Sequence, residues 1–146
     1  MSASNALETG LLLLLFNNTN FALIGDATGL RGSTTAGSLE VSLHTADPGE
    51  AGDQTTSEAT YTGYARVTVA RSGAGWTVSG NAVTNAAITA FPACTGGTNT
   101  VTHFGVGTAH TSTGVLLNSG PLNASLAVSN GITPSFDVGQ ISITAD

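Results

Sequence analysis

At 146 residues the chain has the size of one domain, with 40% hydrophobic but only 8% charged residues, against roughly 25% charged in an average soluble domain. It has no lysine; Arg31, Arg66 and Arg71 stand against nine carboxylates for a formal net charge of −6, which argues against nucleic-acid and anionic-membrane partners, both of which are bound through Lys and Arg. Disorder pairs low hydrophobicity with high charge, so this Gly-, Ser- and Thr-rich chain reads instead as short strands joined by tight turns.

The one helix pattern lies at the N-terminus, over residues 5–17. Asn5 followed three residues later by Glu8 reads as a capping box, with the carboxylate also favoured by the helix dipole. Leu7, Leu11, Leu14 and Leu15 share one face, while Leu12, Leu13 and Phe16 cover much of the remainder. A helix apolar nearly all round is expected to be buried on more than one side. A small sandwich has little room to enclose it, so part of the segment is expected to pack on another subunit. Gly10 weakens the helix and Asn17-Asn18 ends it. The apolar run at residues 11–16 lacks a basic flank and is too short for a membrane span or a secretion leader.

Residues 25–38 read as a Gly/Ser/Thr-rich loop. Leu39, Val41 and Leu43 then alternate with Glu40, Ser42 and His44, the period-2 signal of a half-buried strand. Asp47-Pro48-Gly49 suits a type II turn, with Pro fixing φ at the second position and Gly supplying positive φ at the third. Residues 50–60 form a polar loop carrying much of the acidic charge. Further strands are predicted at 65–70, 76–79, 81–84, 87–90, 100–106, 114–117, 122–128 and 140–144, with Ser79-Gly80-Asn81 as a hairpin turn. This spacing predicts an all-β fold, a β-sandwich of jelly-roll type over residues 39–144, within a single domain spanning 1–146. No heptad, collagen triplet or longer repeat interrupts it.

Chemistry-bearing sets are absent. His44, His103 and His110 are scattered, with no HExxH spacing and no set of cysteine partners. There is no Gly-x-Ser-x-Gly elbow, and Asp47 near His44 is better explained by Pro48 as a turn residue. Gly105-x-Gly107 lacks the third glycine of a dinucleotide loop, and without lysine there is no Walker motif. Asp47, Glu50, Asp53 and Glu58 offer oxygens to a hard cation but not the alternating ladder of an EF-hand, so a solvated acidic loop is the expectation. Trp76 sits in an alternating strand beside Val78 and reads as core, which leaves few aromatics for a sugar cleft. Cys94 is the only cysteine, so no internal disulfide forms, and it reads as a buried thiol. No catalytic residue, cofactor site or metal site is predicted, and the chain reads as a non-enzyme.

The stretch Ser42-Leu43-His44-Thr45-Ala46-Asp47-Pro48-Gly49, followed by Gly63-Tyr64-Ala65-Arg66, resembles small structural proteins of tailed-bacteriophage virions, in which a strand runs into an LHTADPG turn, a polar loop and a GYAR strand. Phe104-Gly105-Val106-Gly107 and the region 116–126 are similar to the same proteins, and the resemblance covers roughly residues 39–144. It implies a virion component whose partners are other copies of itself and major capsid or tail proteins, as a homo-oligomer. Two places in the particle fit. The first is a decoration or cement subunit on the capsid exterior, favoured by small size and a lysine-free, acidic composition unsuited to packaged DNA. The second is a tail, collar or short-fibre subunit. A carbohydrate-binding β-sandwich is a third reading, disfavoured by the scarcity of aromatics. In the GYAR segment Arg66 and Thr68 share a face, and two placements are open for Arg66: pinning the acidic loop by a charge-assisted hydrogen bond, or standing in solvent.

Overall fold

The computed structural model describes residues 2–26 and 28–145. The chain ends, and position 27 inside the loop expected at 25–38, lie outside the described residues. The chain is mostly β, with antiparallel sheets and one N-terminal helix. The elements run α1 (Asn5–Asn17), β1 (Ser38–His44), β2 (Val67–Ala70), β3 (Trp76–Ser79), β4 (Ala82–Asn85), β5 (Thr89–Ala90), β6 (Asn99–Gly107), β7 (Leu116–Val128), β8 (Ser135–Phe136) and β9 (Ser142–Thr144). Two compact units result. One is built from the chain up to Ser38, Val69–Ile88 and the chain from Phe136 onward; the other from Leu39–Thr68 and Thr89–Ser135.

In the first unit α1 packs on β3 and β4 of a three-stranded sheet ordered β3-β4-β9. The N-cap is Ser4, not Asn5: its extended backbone lets Oγ accept from the Leu7 N–H at 3.3 Å, satisfying one of the orphan donors of the first turn. Asn18 closes the other end in the left-handed conformation. Arg71 reaches that end as well. Its guanidinium donates to the carbonyls of Leu14, Leu15 and Ala36, placing positive charge where the helix dipole is negative. The most deeply buried side of α1 faces the sheet. Glu8, Leu12 and Phe16 face inward, and the Phe16 ring meets fully buried Trp76 edge-on at 5.0 Å, an arrangement that suits the ring quadrupoles. Within the chain Leu7, Leu11 and Leu15 remain exposed, the side that the expected contact with another subunit would have to cover. Gly10 has a packing reason: a Cβ there would come within 2.6 Å of the Phe21 ring. Gly80, at positive φ, opens the predicted hairpin, in which Ser79 pairs with Ala82.

The second unit holds most of a sheet ordered β2-β1-β6-β7. Alternation predicts a half-buried β1, yet Leu39 through His44 are all buried. It is an inner strand, and its polar face is covered by the chain that follows it. β1 and β6 pair antiparallel, Ser42 opposite Gly105 and His44 opposite His103. The strands predicted at 114–117 and 122–128 are one, β7. Its pairing to β6 slips between Val101–Leu126 and His103–Pro121, which leaves residues 122–125 as a bulge. Val41, Leu43, Val101, Val106 and Val128 are among the core residues of this unit, and Cys94 is a free buried thiol, as expected.

Candidate functional site

Alternation along β1 puts Glu40, Ser42 and His44 on one face, and all three are buried. Ser42 Oγ lies 2.8 Å from His44 Nε2, and His44 Nδ1 lies 2.8 Å from the Thr56 carbonyl oxygen. A carbonyl only accepts, so the neutral ring carries its proton on Nδ1, and Nε2 accepts from the Ser42 hydroxyl. Burial pushes the His44 pKa down, against the opposing pull of the Thr56 carbonyl and Glu58, and keeps the ring neutral. This is the proton arrangement of an activated serine, but the oxygen is sealed. Ser42 and His44 are both 0% exposed, and a Cβ at Gly105 would approach Ser42 Oγ and His44 Nε2 to 2.6 Å. The pair therefore acts inside the fold, holding residue 56 against β1.

The polar loop at 50–60 is not uniformly solvated. Glu58 accepts a bidentate pair from Arg66, Nε at 2.7 Å and Nη2 at 2.8 Å, the geometry that makes guanidinium–carboxylate pairs strong. Arg66 Nη1 donates to the Ala109 carbonyl at 2.7 Å, and Arg66 is buried, so of its two open placements the structure has the pinning one. Tyr64 Oη donates to Glu58 at 2.9 Å and accepts the Leu43 N–H at 3.0 Å; burial, reinforced by Glu58, pushes its phenol pKa up. Gln54, fully buried, accepts the N–H groups of Thr108 and Ala109 at 3.0 and 2.9 Å. Its side chain fits only because positions 107 and 114 are glycines, where any Cβ would collide with it. Glu40 accepts from Thr68 Oγ1 and sits 3.0 Å from His110 Nδ1. These polar contacts tie the segment after β1 to β1 and to the turn after β6, while Glu40 joins β1 to β2 and to His110. Gln54, Tyr64 and Ser42 carry roles here that composition and spacing did not assign them.

The four loop carboxylates are not brought together as a cation site. Asp47 accepts the Gly49 N–H and Asp53 accepts from Thr55, while Glu58 belongs to Arg66. No group of three or more His, Cys, Asp or Glu side chains able to hold a metal occurs among the described residues. His103 makes its side-chain contact with Thr102 Oγ1 at 2.9 Å.

What remains accessible is surface. Leu7, Leu11 and Leu15 form a stripe on α1, one residue per turn. In the same unit the loop after α1 exposes Leu23, Ile24 and Leu30. In the other unit a groove of about 470 Å³ is lined by Asp47, Glu50, His103 and the first half of β7. A second groove, about 560 Å³, is lined by Thr45, Asn99, Thr100, Ala127 and Ser129 and carries no charge.

No curated protein matches the chain. The family model described as podophage GP4 fiber I protein gp80 matches residues 2–144, which takes in the N-terminal helix as well as the strands. The chain belongs to the podophage GP4 fiber I protein gp80 family, and it is a structural component of a bacteriophage virion that meets other virion proteins there.

Proposed function

We propose that the chain is a non-enzymatic subunit of a short fibre or of the tail structure that carries one, assembled with further copies of itself and with neighbouring virion proteins. The observation that carries this reading is the family match over residues 2–144. The surfaces support it. The leucine stripe of α1 is an apolar face without a partner among the described residues, and such faces mark contact sites. The sealing of the Ser42–His44 pair supports a structural rather than a catalytic role for it.

A capsid decoration or cement subunit is the second reading, favoured by the acidic, lysine-free composition. Particles assembled without this chain separate the two. The fibre reading expects them to lack a fibre in negatively stained images while their heads hold DNA through heating as the parent's do. Heads that lose DNA at lower temperature, with fibres intact, would replace the fibre reading with the cement reading.

A further inference from the structure

The three arginines are used unequally. Arg66 is closed in by Glu58 and the Ala109 carbonyl, and Arg71 is spent on the end of α1. Arg31 is exposed and is the one arginine with no hydrogen bond or ion pair among the described residues. Its backbone, by contrast, is held on both sides. Phe21 and Leu30 exchange both hydrogen bonds of an antiparallel bridge, at 2.8 and 2.9 Å. Beyond Arg31, the N–H of Gly32 donates to Asn20 Oδ1 at 3.0 Å and that of Ser33 to Asn18 Oδ1 at 2.6 Å. The loop also presents Leu23 with φ +67 and 83% exposed. A leucine seldom adopts that backbone region, and such strain gathers where a side chain is held out for a purpose.

The acidic groove has the opposite character. Asp47 and Glu50 line it, and neither meets a cation among the described residues. Asp47 is engaged by the Gly49 N–H, whereas Glu50 makes no hydrogen bond among the described residues. The β7 side of the groove carries no charge: from residue 72 to residue 136 the sequence has no Lys, Arg, Asp or Glu. Two copies that each carry −6 repel at long range, so a contact between them needs a place where charges are absent or opposed. This pairing has both.

We propose that the loop carrying Leu23, Leu30 and Arg31 of one copy docks in the groove between Glu50 and β7 of a second copy, with Arg31 against Glu50 and the loop leucines against Leu116 and Leu117. The two patches differ, so the contact is heterologous: each copy offers a loop to one neighbour and a groove to another, which builds a ring or a filament and not a closed pair. The backbone held on both sides of Arg31 lowers the ordering cost of docking. The apolar side chains supply most of the attraction, and the arginine sets the register and rejects a wrong neighbour. This contact is a property of the purified chain and stands or falls apart from the location in the virion.

The test is sedimentation velocity of the full chain over a concentration series, with R31E, E50R and their equimolar mixture. Asp47 is left intact because it holds its own turn. Both single variants should keep the parent's circular dichroism and melting curve, since both side chains are exposed and unbonded. Each alone should need about tenfold more protein to associate. The mixture should recover assembly. Arg31 of the E50R copy meets Glu50 of the R31E copy, and the two substituted positions again bring opposite charges together. Association unchanged in both single variants overturns the proposal. So does a loss in either that mixing does not repair.

Discussion

At the residue scale, the turn glycine and the buried histidine make separable predictions. Gly49 has φ +69 and open space around the position of a Cβ, so a substitution there meets backbone strain and nothing else. Gly49→Val should cost about 1 kcal/mol or more, because a β-branched residue fits that region badly; a melting temperature equal to the parent's would contradict it. The positive φ was legible from Asp-Pro-Gly. What holds the turn was not, since the Asp47 carboxylate takes the Gly49 N–H directly. His44 has a folded pKa below its ordinary 6.5 because burial opposes its charge. As pH falls, the unfolded chain takes up the proton first. The stability due to the neutral ring is complete above about pH 6.5 and is lost as pH drops from there toward the lower folded value. The unfolding free energy measured from about pH 8 to about pH 5 should show this decline, and His44→Gln should flatten it while lowering stability throughout. An equal slope in the variant would assign the titration elsewhere.

At the element scale, the parts read best from sequence are those fixed by their neighbours in the chain. The hairpin of β3 and β4 forms where Trp76 alternates with Val78 and Ser79-Gly80-Asn81 turns, because register follows from a short loop. The polar face of β1 escapes the alternation rule, because the segment that covers it is fixed by contacts from Arg66 and from the turn at Thr108–Ala109, distant in sequence. The cap lies one residue from its expected place because Ser4 and Asn5 are both competent caps and local propensity does not choose between them. Glu58→Gln should cost about 3 kcal/mol or more, since it leaves the Arg66 guanidinium buried without its counter-charge. The double variant Glu58→Gln, Arg66→Met should recover part of that in denaturant unfolding; additive losses would mean the pair is not coupled. α1 calls for a different experiment. Phe16 belongs to the core, so removing the helix would unfold its unit, whereas Leu7, Leu11 and Leu15 can each become Gln with stability changes within about 0.5 kcal/mol per site. The triple variant should melt like the parent yet be depleted severalfold from purified particles. Normal incorporation would show that the stripe faces nothing.

At the scale of the whole molecule, the low charge, the many short strands and the single helix are all readable from composition and periodicity, and with the LHTADPG and GYAR stretches they lead to a virion structural protein. The candidate surfaces are only partly readable. The apolar face of α1 is visible as a pattern, but which leucines turn outward depends on where Trp76 and Phe16 meet. The freedom of Arg31 emerges only once Arg66 and Arg71 are found occupied. The proposed fibre-associated subunit is held in the particle by its own surfaces. An electron-microscopy map of the intact particle, at a resolution where α1 and the four-stranded sheet can be fitted, tests this most directly. Copies in contact with one another in a fibre or at its attachment to the tail are the expected result. Copies distributed over the capsid shell, with none at the tail, would contradict it.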